Sequence, residues 1–190
     1  IYQWNGETYL SGSVYAQQFY KPFDAQKISQ AMATKIDADP AQIRQMWELK
    51  SKASTSLGDA LHAALELYGR FNGLADQLNK TTHLHDHPIL KAAVESFYEA
   101  HKDEEAEYEV FVVDHAAKRV GQVDRLQILD RAKKVCRVQD YKTNANMTEA
   151  KLSVYWKQLE FYAGIMEAAG WTVEGKDIFV WNGEWKRHAR

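Results

Sequence analysis

The sequence predicts an α/β or α+β domain, and three observations carry that reading. Helical apolar periodicity fills much of the chain up to His101. Alternating apolar and polar residues then run in short bursts from Tyr108 to Lys142. A long helical pattern and one more alternating segment close the chain.

Each element has a local reason. Residues 1–25 are rich in Tyr, Ser and Gly and read as irregular or short-strand structure. Helices are expected over 25–36 and 40–53, split by Asp37-Ala38-Asp39-Pro40, where Asp39 caps and Pro40 takes the first helical position. A third helix runs from Ser56 to Tyr68. A fourth runs from Pro88 to His101, with Leu90, Val94, Phe97 and Tyr98 on its apolar side. Strands over Tyr108–Val113 and Val120–Leu129 flank a polar turn, and a second turn at Asp130–Lys134 leads into Val135–Lys142. A helix from Thr148, its cap, to Ala169 is stopped by Gly170, and Thr172–Trp181 forms a last strand.

At 190 residues the chain reads as one domain with enough length for a full core. A formal charge of −2, 45% hydrophobic and 26% charged residues are those of an ordinary globular protein, and decide neither for nor against nucleic acid. No apolar run approaches the ~18 residues of a membrane span, and no signal-peptide pattern is visible. Cys136, the single cysteine, excludes an internal disulfide and points to a reducing compartment. In an alternating strand it reads as a small core residue.

The chemistry concentrates in Gly121-Gln122-Val123-Asp124-Arg125 and Gln139-Asp140-Tyr141-Lys142. Side chains two apart on a strand share a face, so Asp140 and Lys142 project together, and Asp124 comes from the neighbouring strand. Two carboxylates suit Mg²⁺ or Mn²⁺, and a lysine beside them binds phosphate or orients a water. Gly58, His62 and Glu66 recur at helical spacing, as do Gln158 and Tyr162.

Taken in order, Gly-x-x-x-His, a strand glutamate, Gly-x-x-Asp-Arg, Asp-Tyr-Lys-Thr and Gln-x-x-x-Tyr resemble the RecB-like branch of the PD-(D/E)XK nucleases, over Gly58 to Tyr162. The resemblance implies a mixed central sheet flanked by helices, with a core over about 54–182 and an added N-terminal helical region over about 1–53. It implies metal ligands at Asp124, Asp140, His62 and the Tyr141 carbonyl, and catalytic roles for these two aspartates and Lys142. Partial burial is expected to lower the Lys142 pKa toward a role in deprotonation. Glu109, preferred over Glu107, is the strand acid, and Gln158 and Tyr162 contact phosphate or water, Tyr162 alternatively packing. Relatives with an iron–sulfur cluster need four cysteines, which this chain lacks.

The implied activity is metal-dependent hydrolysis of DNA, as an exonuclease on single strands or ends, in recombination, repair or phage DNA metabolism. The implied setting is a bacterial or phage-infected cytoplasm, at the nucleoid. A helicase, recombinase or single-strand-binding protein is the implied partner, since there is no Walker A pattern. A non-cleaving binding module and a structure-specific endonuclease are the alternatives. The retained acids and lysine speak against the first, and the His62 and Gln158 motifs against the second.

Two basic clusters, Lys133/Lys134/Arg137 and Lys186/Arg187/His188/Arg190, read equally as phosphate contacts or as solubilising surface. Tyr9, Tyr15, Tyr20 and Phe23 read as base-stacking groups or as core. His83, His85 and His87 mimic a zinc site, but Pro88 and the polar context favour a loop there.

Overall fold

A computed structural model describes residues 2–77, 87–143 and 146–190. They fall into two compact units, 21–60 and the remainder. The unit 21–60 comprises helix α2 (Ala25–Ile36) and the first part of α3 (Pro40–Gln77). Asp24 caps α2 by accepting from the Lys27 amide at 2.9 Å, and Asp39 accepts from the Ala41 amide at 2.8 Å where Pro40 starts α3. Buried Ser29 ties the two helices by accepting from Arg44 at 2.9 Å.

Helix α3 corrects the expectation of two helices over 40–53 and 56–68, because it is one continuous run of 38 residues. No Gly or Pro lies between Ala53 and Ser56. Ser and Thr are weak helix formers but not breakers, so nothing stops propagation.

The other unit is built on a seven-stranded mixed sheet, ordered β1-β2-β4-β5-β6-β7 with β3 paired to β4. The strands are β1 (Tyr2–Trp4), β2 (Glu7–Ser11), β3 (Ala106–Asp114), β4 (Arg119–Asp130), β5 (Val135–Lys142), β6 (Thr172–Trp181) and β7 (Trp185–Ala189). Residues 2–20, including the short helix α1 (Gly12–Gln17), fall in the same unit as the sheet, where β2 runs beside β4.

Strands β5 and β6 are parallel, and α5 (Glu149–Ala168) is their crossover. Thr148 caps α5 and Gly170, at φ +83°, ends it, as the sequence predicts. Helix α5 is buried nearly all round. Leu152, Trp156, Leu159 and Ile165 join Val123, Leu126, Cys136 and Val138 in the main core, and Tyr15 of α1 stacks on Phe161 at 5.1 Å. Cys136 is fully buried and its thiol is pushed up to about 11, chiefly by that burial. Helix α4 (Pro88–His101) covers the opposite sheet face through Phe97, whose ring meets Tyr141 and Phe179 at 5.2 Å each.

One strand departs from regularity. Tyr108 packs beside Tyr98 of α4, whereas Val110 packs under α5, although residues two apart normally share a face. On β4 the same switch separates Arg125, over Phe97, from Val123 in the α5 core. The pleat inverts on both strands at the same rung, between the pairs Tyr108↔Arg125 and Val110↔Val123. The residues at that rung are Glu109, at φ +50°, and Asp124.

Candidate metal centre

The β4–β5 ladder ends at Arg125↔Gln139, while β4 goes on beside β2 at Arg119 and Val120, and β5 beside β6 to Lys142. The sheet forks there, with Asp124 on one prong and Asp140 on the other. Asp124 bridges the gap by accepting the Tyr141 amide at 2.8 Å, replacing a lost ladder bond.

His62 of α3 faces the fork. Its Nε2 donates to the Tyr141 carbonyl at 3.0 Å, and its Nδ1 lies 3.6 Å from an Asp124 oxygen. Glu109 completes the cluster, with one donor atom of His62, Glu109 and Asp124 all within 4.8 Å of one another. The left-handed backbone at Glu109 is a conformation that a non-glycine residue adopts only at a cost, and such strain collects where geometry is functional. Burial, and next the Asp124 charge, push the Glu109 carboxyl up to about 7. Glu107, the less favoured strand acid, lies beyond the inversion and pairs with Arg131 at 2.9 Å. Glu66 pairs with Arg70 at 3.0 Å.

Asp140 is buried and lies outside the three-residue cluster. Its Oδ2 sits 2.5 Å from Lys142 Nζ, an ion-pair contact without hydrogen-bond alignment. Burial raises the Asp140 carboxyl against the pull of Lys142, and the Asp124 charge raises it further. Burial acts to lower the lysine, as the sequence suggests, but Asp140 and Asp124 outweigh it and hold the ammonium above its ordinary value. Lys142 is therefore a cation here rather than a proton acceptor.

Gln158 donates to the Tyr162 hydroxyl at 2.9 Å. The Tyr162 ring fills the space beside two glycines. A Cβ on Gly121 would meet it at 2.3 Å and one on Gly12 at 2.2 Å, so the glycine of Gly-x-x-Asp exists to admit this tyrosine. Burial pushes the Tyr162 phenol up to about 12.

Of the basic clusters, Arg137 and Arg187 are both engaged with buried Asp177, at 2.9 and 3.0 Å, and Lys133 pairs with Asp130 at 2.9 Å. Arg125, part of the Gly-x-x-Asp-Arg motif but given no role by the sequence, is fully buried and donates to Glu104 at 2.8 Å and to Gln139. His83 and His85 lie outside the described residues, and His87 is exposed at the start of α4.

The model of the PD-(D/E)XK nuclease superfamily matches residues 40–183. The chain belongs to that superfamily. No curated protein matches it. Among solved structures, the one described as "Crystal structure of SSO0001" is 14% identical over 77% of each chain with a TM-score of 0.36, too distant to carry an argument. As in the sequence-based expectation, this PD-(D/E)XK chain sets helices around a central mixed sheet. No helix among the described residues is long and apolar enough to cross a membrane.

The donor set fits a hard divalent cation. Octahedral ligands at 2.0–2.1 Å lie about 3.0 Å apart when adjacent and about 4.2 Å apart when opposite. The donor atoms of His62, Glu109 and Asp124, all within 4.8 Å of one another, exceed the second value by no more than about 0.6 Å. Two carboxylates with one imidazole form a donor set capable of coordinating a divalent ion.

Proposed function

We propose that this PD-(D/E)XK chain is a Mg²⁺- or Mn²⁺-dependent deoxyribonuclease of the RecB-like branch, acting as an exonuclease on single-stranded DNA or DNA ends. The observation that carries the reading is the fork. It gathers His62, Glu109 and Asp124 around the Tyr141 carbonyl, with the Asp140–Lys142 pair on the adjoining strand. The RecB-like assignment rests on His62 and on the Gln158–Tyr162 pair. Recombination, repair or phage DNA metabolism, alongside a helicase, recombinase or single-strand-binding partner, is the setting that suits such an activity.

His62, Asp124, Asp140 and the Tyr141 carbonyl would hold the ion, joined by Glu109. When bound, the ion stabilises the negative charge that develops on the phosphate oxygens. Lys142 contacts the scissile phosphate, or fixes the attacking water through one lone pair, as a permanent positive charge. Glu109, within the same cluster, is the carboxylate placed to take the proton from that water. The water oxygen bonds to phosphorus, the phosphorus–oxygen ester bond breaks, and the leaving oxygen departs with its electron pair. Gln158 orients phosphate or water from α5, and Tyr162 holds α5 at its spacing from β4.

The test is digestion of end-labelled single- and double-stranded DNA with Mg²⁺, Mn²⁺ or EDTA. Metal-dependent loss of the end label ahead of internal cuts is expected. Absence of cleavage with either ion, or cleavage that survives EDTA, would overturn the reading.

A further inference from the structure

We propose that Tyr155, backed by Tyr20, is a positioning residue that aims Lys142 at the scissile phosphate; this rests on the nuclease reading above. The Lys142 ammonium lies 5.0 Å from the centre of the Tyr155 ring. Tyr155 is on α5, three residues ahead of Gln158 and outside the Gln-x-x-x-Tyr motif. Tyr20 in turn lies near enough to feel Tyr155 and the charges of Lys142 and Asp140. Burial, then the Tyr155 contact, push the Tyr20 phenol up to about 12, so it stays a neutral hydroxyl.

Tyr20 precedes the region matched by the superfamily model, which begins at residue 40. The N-terminal segment nonetheless reaches the site by a built route. Gly12 of α1 packs against the Tyr162 ring, Tyr15 stacks on Phe161, and α1 then delivers the chain to Tyr20. Both rings of α5 that receive α1 belong to the helix that also carries Tyr155.

The physical need is plain. A lysine amine on a four-carbon stem has many rotamers, and it is held by the charge of Asp140 first and of Asp124 next. Asp140 also lies beside the acidic cluster, and a carboxylate that neutralises a second cation attracts the first less. The Tyr155 ring face is unaffected by that competition, since its pull on the ammonium comes from the ring quadrupole. It keeps Lys142 in the productive rotamer when Asp140 is otherwise engaged.

Three variants test this: Tyr155→Leu, Tyr155→Phe and Tyr20→Phe, each assayed for kcat and KM on labelled single-stranded DNA and for melting temperature. A second readout needs no turnover: labelling of Lys142 by an amine-reactive ester in metal-free protein, read by peptide mass. Tyr155→Leu should lower kcat about tenfold with KM little changed and raise Lys142 labelling several-fold. Tyr155→Phe keeps the ring but loses the Tyr20 contact, and should cost about two- to threefold with Lys142 still protected; Tyr20→Phe should match it. If Tyr155→Leu melts early, Tyr155→Met takes its place. Equal labelling of Lys142 in wild type and the ring-less variant, or equal damage from Phe and Leu, would overturn the proposal. If the wild type cuts no DNA, the nuclease reading falls by itself, and the labelling comparison still decides whether Tyr155 orients Lys142.

Discussion

Replacing Glu109 by Gln should stabilise the metal-free protein at about pH 8 and leave it unchanged at about pH 4. The Glu109 carboxyl is pushed from an ordinary 4.5 to about 7, by burial first and the Asp124 charge second. Below 4.5 the group is protonated in folded and unfolded chains alike and contributes nothing. As pH rises from there, the unfolded chain releases the proton before the folded one, so the folded state binds more protons and stability falls. Above about 7 the loss is complete and constant. A shift of that size has a ceiling of roughly 3.4 kcal/mol, and solvent screening at a partly exposed site reduces it to about 1–2 kcal/mol. For a chain of this length that is about 2–8 °C in melting temperature. Gln keeps the size and the left-handed backbone, so only the charge changes. The assay is denaturant unfolding with EDTA at both pH values, repeated with Mn²⁺, which should shrink the gap by stabilising the wild type. A gap of equal size at both pH values, or none at about pH 8, would refute the reasoning.

Asp140→Ala should abolish cleavage and also lower stability by about 3 kcal/mol, because it leaves Lys142 only 17% exposed and without its ion-pair partner. Restored melting in the Asp140→Asn, Lys142→Met double variant, with cleavage still absent, checks both halves. Gly121→Ala should cost about 1–3 kcal/mol by driving a Cβ into the Tyr162 ring, read as an earlier denaturation midpoint. His62→Ala should weaken Mn²⁺ binding in calorimetry and reduce the activity advantage of Mn²⁺ over Mg²⁺. An unchanged ratio with a lowered melting temperature would instead make His62 a structural partner of the Tyr141 carbonyl.

The elements with unambiguous local chemistry were the legible ones. Strands β5 and β6 have the expected bounds to the residue, and α5 lies between its expected cap at Thr148 and Gly170. Strand β7 escaped notice, although Asn182-Gly183 just before it is a hairpin signal and Gly183 has φ +98°. Asn5-Gly6 plays the same part between β1 and β2. Within the site, the Asp140–Lys142 pair follows from a period of two. The convergence of Glu109 and Asp124 does not, because it depends on a backbone that leaves that period at one rung. Arg125 escaped because a charged residue in a strand is ordinarily solvated, and its burial requires Glu104 and Gln139 to arrive from other elements.

The paired inversion at Glu109 and Asp124 makes those two positions a matched phase slip in adjacent waves. Every rung on both sides of it keeps the same register, from Ala106↔Gln127 to Asp114↔Arg119. A one-residue insertion or deletion in either strand alone would put the slips out of step. It would carry Val110 and Val112, or Gly121 and Val123, to the wrong layer. The two acids are thus held together by the sheet's own bookkeeping of inside and outside, so any lineage that moves one must move the other in the same event.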